Sequence, residues 1–486
     1  MRNNERDLQM EAVPIIAAAR GGDDVTTIAI VGAGFSGICL AAHLHRAADR
    51  PVRVLVFDRA KINASVAFGT RDPVHLLNGP VSRHSAFDDI PGDFGDFLAR
   101  DPEAQPFLDP KLPISGQFVP RMLFGRYLQH IRASLAHASP AGATVTFINA
   151  NVHDIVKTGQ HVRIVADDGI SRHADVAILA IGNPPPRSLT GLIDPAYLID
   201  DPWNASAVNA IARDKPVMIV GSGQTAIDLA LGVAANGHRA SITLLSRRGR
   251  IALPYVAVDR PYQLDAGHIP QRLGPFVRWL RSEAARFTDN GGDWRAVVNA
   301  LRPHTQRIWY GFSVTEKKRF FEHIAPFWYL HRSRFPPKTL QRLSDLLAAD
   351  RARVVAGRMV SVTPDGPQVV LDIRPRGQDN VIQIRAGVVI NCTGPYWDVR
   401  RPQNPLMANL IASGMICWDD TGAGIAVTPK GVPLDASGRT TERLFAIGPL
   451  CRGALLEIMV VRDIRTQCAT LATQLLGRVK AGMAAA

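Results

Sequence analysis

Residues 26–58 read TTIAIVGAGFSGICLAAHLHRAADRPVRVLVFD. A short apolar run, TTIAIV, has the look of a buried strand. GAGFSG follows at once and places Gly32, Gly34 and Gly37 in the spacing G-x-G-x-x-G, with Phe35 and Ser36 inside the loop. ICLAAHLHRAA then carries a helical pattern, and VRVLVFD is a second strand ending in Asp58, with Arg59 next. Each glycine has a reason. The first permits a tight turn, the second a close backbone approach to a pyrophosphate, and the third close helix–strand packing. The opening helix turn supplies unpaired N–H groups for phosphate oxygens. An acid at the end of the second strand accepts from a ribose 2′-hydroxyl and repels a 2′-phosphate. The segment therefore reads as a cradle for FAD or NAD, and not for NADP.

The pattern recurs at 215–248. KPVMIV is a strand, GSGQTA the turn, IDLALGVAANG a helix and ASITLLSRR a second strand. Gly221 and Gly223 match the first two glycines. Ala226 stands at the third position, and Gln224 and Thr225 lie between. Where the first copy ends in an acid, this one has Ser246, followed by Arg247 and Arg248. A hydroxyl and two guanidinium groups suit a 2′-phosphate, which favours NADPH over NADH. The alternative is that the arginines only solvate the strand end. Two unlike cradles in one chain fit a resident FAD and a visiting NADPH, with hydride passing from nicotinamide to flavin.

The remaining composition narrows the class. The chain has 486 residues, enough for two large domains and an insert. Lys plus Arg number 56 and Asp plus Glu 43, a net of +13. The basic residues are scattered, with no like-charge block or zinc-finger spacing, so nucleic acid is not the expected partner. Five cysteines form no C-x-x-C pair, which excludes the adjacent dithiol of a disulfide reductase and suggests a reduced, cytoplasmic setting. No apolar run reaches membrane-spanning length and no signal peptide is evident, so no membrane is expected. Neither HExxH nor a close histidine cluster appears, and no metal site is expected. A homo-oligomer is compatible with the sequence, which does not decide it.

Further motifs extend the reading: AFGTRDPVHLLNGP at 67–80, FVPRMLFGRYL at 118–128, GNPPP at 182–186, DPW at 201–203, SGQTAIDLAL at 222–231 and AIGPLCRGALLE at 446–457. With GAGFSG, these resemble a bacterial family of FAD/NAD(P)-binding proteins, related to the two-dinucleotide-domain flavoproteins and to class B-like flavin monooxygenases. The resemblance runs from about 25 to 477. It implies an α/β fold of two Rossmann-like dinucleotide-binding domains, the second inserted in the first. It places Leu77 and Asn78 near the flavin, Arg121 near the cofactor or the site mouth, Val152 at the adenine, and Gly448 and Gly453 close to the flavin, with Leu455 a further candidate to contact the cofactor. Many relatives have Gly-Asp where this chain has Gly448-Pro449. His75, close to the same stretch, is a candidate to donate to a flavin atom or to tune a proton transfer, or else a structural histidine. Asn78, His75 and Arg121 are the candidate catalytic residues. Asn78 could instead cap a turn, and Arg121 could pair with an acid.

The expected division is 25–205 for the first part of the FAD domain, 206–385 for the NADPH domain with a helical insert at about 255–350, and 386–477 for the return to the FAD domain. Between 276 and 335 the chain holds 13 of its 32 aromatic residues. They read as the core of a small helical subdomain or as the lining of a substrate pocket. Alternation at 144–156 and 161–167 suggests a small antiparallel excursion. HVRIVAD would pair with it.

The expected activity is oxygenation: one atom of O2 enters a small organic substrate at nitrogen, sulfur or carbon, through a flavin C4a-(hydro)peroxide. Related monooxygenases carry an F-x-G-x-x-x-H-x-x-x-W linker. Here Gly191, Tyr197 and Trp203 stand in the equivalent crossover without the histidine, which counts against ketone-to-ester chemistry. The alternative is electron transfer to a small acceptor or partner protein without oxygen insertion.

Overall fold

The computed structural model describes residues 25–59, 66–396, 402 and 404–480. Two sheets with parallel cores carry the chain. In the first, the strands run from edge to edge as Leu444–Ala446, Val176–Leu179, Thr26–Val31, Val52–Asp58 and Thr144–Asn149. All pair in parallel. The central strands are covered on both faces, which is why they are apolar runs and not alternating ones. Ile28, Ala29, Ile30 and Ile178 are fully buried. The helix Phe35–Ala47 leaves the glycine loop, and the closing helix Val461–Lys480 packs against it.

The second sheet runs Ile382–Ala386, Gln368–Pro375, Ala352–Asp365, Ile242–Ser246, Val217–Val220, Val388–Asn391 and Leu198–Ile199. Its four-strand core is parallel with the short Leu198–Ile199 strand at one edge, and a meander of two antiparallel pairings extends the other side. This corrects the expected boundaries. The strand Val388–Asn391, placed beyond 385 in the returning FAD domain, pairs with Val217–Val220. Leu198–Ile199, placed before 206, pairs with it on the far side. Both divisions therefore fall inside the second sheet's strand set. The reason is that crossover segments contribute edge and neighbour strands before the chain changes sheet, and an apolar run does not tell which sheet it joins.

The antiparallel excursion is also narrower than expected. Thr144–Asn149 is the parallel edge strand of the first sheet. Only Val152–Thr158, His161–Ala166 and Arg172–Ala174 form the separate antiparallel sheet.

The insert is helical: Leu273–Asp289, Trp294–Ala300, Thr305–Gly311, Val314–Arg319 and Ala325–Arg332, then Pro337–Ala348. The stretch 315–330, which reads as one helix, is broken by a π-helical turn at Phe320–Ile324. Pro326 accounts for this, since it offers no N–H and its ring crowds the carbonyl four residues back. Phe276, Trp309, Phe312, Phe320 and Trp328 form the insert's buried core together with Leu456 from the C-terminal segment. The aromatic insert is thus a packed unit fastened to the first sheet's domain. Trp309 Nε1 donates to the Gly453 carbonyl at 2.9 Å, and Gln306 Nε2 to that of Leu456 at 2.6 Å.

Candidate active site

The first cradle has the geometry its glycines require. Gly32 has φ of +111°, and a Cβ there would lie 2.4 Å from the Ala180 carbonyl oxygen. A Cβ on Gly37 would lie 1.8 Å from the Gly32 carbonyl oxygen. Gly34 caps the helix in an extended conformation with no side-chain cap, leaving N–H groups of the first turn to an anion. Phe35 is buried against Phe68 and Phe124. Ser36 lies under Gly448, where a Cβ would sit 2.7 Å from the Ser36 hydroxyl. Gly448 has φ of +74°, and its N–H donates to Gln467 Oε1 at 2.8 Å. One oxygen of Asp58 accepts from the Ala33 N–H at 2.7 Å, which fixes the carboxylate at the strand end. Arg59 is exposed beside it. Val152 is buried in the first core. These residues fit a flavin dinucleotide: a left-handed turn, an open helix start and a fixed acid on one edge.

The second cradle repeats this. Gly221 has φ of +143°, and a Cβ would lie 2.2 Å from the Cys392 carbonyl oxygen. Ala226 is fully buried, so a methyl is accommodated where the first copy has glycine. Gly223 differs: a Cβ there meets nothing within 4 Å. The packing of the protein itself does not need glycine at 223. Gln224 Nε2 reaches the Leu76 carbonyl at 3.4 Å, and Thr225 is half-buried in the same first turn.

At the strand end the Ser246 hydroxyl accepts from Ser222 Oγ at 2.9 Å and from the Gly249 N–H at 3.0 Å. It therefore shapes the turn that presents the arginines. Arg247 is exposed and Arg248 half-buried. Arg248 and Arg250 both stand over the Phe327 ring, at 5.7 and 4.5 Å. Burial lowers the pKa of Arg248, and the charges of Arg247, Arg376, Arg250 and Arg358 lower it further. Sequence reading missed Arg358 and Arg376. They come from the antiparallel pair 352–375 and the turn after it, and only the fold brings them to the loop.

The candidate catalytic residues lie where the two domains meet. Both ring nitrogens of His75 are engaged, Nδ1 with Thr70 Oγ1 at 2.8 Å and Nε2 with the Asp228 carbonyl at 3.1 Å. Arg121 donates from Nε to the Leu76 carbonyl at 3.2 Å and pairs with the Asp228 carboxylate. Its guanidinium lies 5.9 Å from the Trp203 ring centre. His75 and Arg121 are buried, and both are engaged with Asp228 of the other domain. They clamp the helix Gln224–Ala235 of one domain onto the 70–80 loop of the other. Burial pushes the Asp228 carboxyl up to about 7, with Arg121 opposing and Asp72 adding to the rise. Burial lowers the His75 pKa, with Asp72 opposing and Arg121 assisting. Asp228 gave no sequence signal, because an acid inside SGQTAIDLAL reads as an ordinary helix residue. Leu77 is buried and donates its N–H to the Val119 carbonyl at 2.9 Å. Asn78, next to it, is half-buried.

Leu455 is buried, and Glu457 just beyond it has φ of +66°. The stretch 456–477 reads as one helix, but the helix starts at Val461. The reason is a buried network. Glu457 accepts from Trp328 Nε1 at 2.8 Å and Arg332 Nε at 2.7 Å, and pairs with Arg332 through its second oxygen. The left-handed backbone turns the carboxylate toward the insert and cannot also continue a helix.

Among the described residues no group of His, Cys, Asp and Glu is placed to hold a metal ion, and no helix is long and apolar enough to cross a membrane.

Residues 29–184 match a family model described as FAD-NAD(P)-binding. No curated protein matches in sequence. Among solved structures, the chain is similar to the ornithine hydroxylase of Pseudomonas aeruginosa, at 14% identity over 94% of this chain and 100% of that one, with a TM-score of 0.64. The ornithine N-hydroxylase of Kutzneria sp. 744, solved with reduced FAD, NADP+ and L-ornithine, gives the same figures. The FAD-bound cadaverine monooxygenase of Erwinia amylovora is 12% identical over 94% and 95% of the two chains, with a TM-score of 0.66. At such identities the likeness is one of fold, and it spans both sheets and the insert.

Proposed function

We propose that the protein is an FAD-dependent, NADPH-consuming monooxygenase that transfers one oxygen atom from O2 to a small organic substrate. The observation that carries this is the pair of unlike cradles in one chain. One is edged by the fixed carboxylate of Asp58 and the other by an arginine cluster at 247–250. Residues 32–37, Asp58, Leu77, Asn78, Gly448 and Leu455 would hold FAD. Residues 221–226 with Arg247 and Arg248 would hold NADPH. Bound FAD supplies hydride acceptance from NADPH and activation of O2. The chain's own part is to bind, to align and to exclude water. The Arg121–Asp228 pair and His75 fix the angle between the two cradles. The insert covers the C-terminal segment next to Gly453 and keeps solvent from that side. In the balance, NADPH gives two electrons, one oxygen atom goes to the substrate and the other leaves as water.

The fold is shared with an enzyme named as an ornithine N-hydroxylase and one named as a cadaverine monooxygenase, which supports nitrogen over sulfur or carbon as the oxygenated atom. The test is to mix NADPH-reduced, FAD-loaded protein with O2 and to compare hydrogen peroxide with oxygenated product across amine substrates. Product that consumes NADPH one for one supports the reading. Peroxide alone, with every substrate, contradicts it and leaves simple electron transfer.

A further inference from the structure

Where the insert meets the loop that follows Asn78, the chain gathers arginines in excess of acids. Two are neutralised: Arg332 pairs with Glu457, and Arg295 with Asp293 at 3.0 Å. Arg334 is not. It is only 4% exposed. Its Nε donates to the His331 carbonyl at 2.9 Å and its Nη1 to Asn299 Oδ1 at 3.3 Å, while its Nη2 is buried with no hydrogen-bond partner. The guanidinium lies 5.3 Å from the Trp294 ring centre, which Arg295 also approaches at 4.7 Å. Arg302 is half-buried, and no carboxylate among the described residues stands within ion-pair distance of it. Arg83 is exposed and stands over the Tyr255 ring at 5.0 Å. The Tyr255 N–H donates to the carbonyl of Phe335, the residue after Arg334, at 2.7 Å.

The charge of Arg83 acts on both Arg302 and Arg334. Burial, then the charge of Arg332, pushes Arg302 down to about 10, with Arg83 contributing and Glu457 and Asp463 opposing. Burial, then Arg295, Arg332 and Arg83, pushes Arg334 to about 10, with Asp293 opposing. Asp463 is itself pushed up to about 6 by burial and by Glu457. An arginine does not shed its proton at neutral pH. A buried guanidinium donor with no acceptor is rare in folded chains, and the group that satisfies it best is a bidentate oxyanion.

We propose that Arg83, Arg302 and Arg334 form a site for an oxyanion, a carboxylate or phosphate carried by the substrate, which anchors the molecule at the insert. The assignment of the anion to a substrate rests on the monooxygenase reading above. The phosphates of the two cofactors have their own places, at 32–37 and at 221–226 with Arg247 and Arg248.

The test is calorimetric titration of the FAD-loaded protein, saturated with NADP+, using succinate in one arm and inorganic phosphate in the other. Saturable one-to-one binding of either is expected, and the tighter arm tells carboxylate from phosphate. Arg302→Gln and Arg334→Gln each weaken it about tenfold or more, Arg83→Gln by less because it is exposed. Arg385→Gln, on the far hairpin, leaves it intact. If Arg334→Gln fails to fold, Arg302→Gln and Arg83→Gln carry the test. No saturable binding, or binding undiminished in these variants, overturns the proposal. Reduction of the flavin by NADPH, followed without any added anion, reads the monooxygenase proposal separately. Anion binding without flavin reduction sinks that proposal and leaves the pocket.

Discussion

Gly37 and Gly223 belong to matching loops, yet the fold needs them for different reasons. A methyl on Gly37 would collide with backbone at 1.8 Å, whereas a methyl on Gly223 meets open space. Gly37→Ala should therefore fail to fold or to hold FAD. Gly223→Ala should melt within about two degrees of the parent, since surface changes that touch nothing cost little, and retain FAD. It should still show flavin reduction by NADPH slowed about tenfold, because the methyl occupies the path of the pyrophosphate. Thermal melting and anaerobic reduction kinetics check both. Arg247→Ala with Arg248→Ala should cut the preference for NADPH over NADH by about tenfold or more, the scale of a lost charge-assisted contact. Unchanged coenzyme preference in kcat/KM would remove the 2′-phosphate assignment. At this scale the sequence was most informative. Glycine spacing and the acid-to-serine exchange at 58 and 246 are local facts. Arg358, Arg376 and Asp228 were not legible, because their relevance depends on contacts across the sheet and between domains.

Elements show where local pattern meets a tertiary demand. The strands around each glycine turn were legible because an apolar run, a turn, a helix and a second apolar run occur in order. Two readings failed for physical reasons. The run 315–330 is interrupted by Pro326, and the closing helix is delayed by Glu457, whose left-handed backbone serves the pair with Arg332. Sheet membership of Val388–Asn391 was illegible, since its sequence specifies burial and not a partner. Glu457 gives the sharpest element-scale test. Burial alone would raise its pKa, but Arg332 holds it below the usual carboxylate value. Glu457→Gln keeps an acceptor for Trp328 and leaves the Arg332 charge unpaired in the interior. The loss should be about 3 kcal/mol, read as a lower midpoint in urea. A variant as stable as the parent would show that the network is not what fastens the insert.

Across the whole molecule, two nucleotide cradles are held at a fixed angle by a buried junction. Asp228 is the titratable part of that junction. Its folded pKa is about 7, raised above the unfolded carboxylate value. Between about pH 4 and pH 7 the folded chain therefore keeps a proton that the unfolded chain has released. Stability from this group is greatest at the acid end and falls as pH rises through that window, with a slope of at most about 1.4 kcal/mol per pH unit. Asp228→Asn should flatten that part of the pH profile of urea unfolding, and an unaltered profile would show that the carboxyl titrates normally. The most direct test of the two-cradle account is anaerobic stopped-flow mixing of the FAD-loaded protein with NADPH, and separately with NADH. The account predicts that the flavin absorbance bleaches fully and in a saturable manner, faster with NADPH. A flavin that stays oxidised with both coenzymes would contradict it.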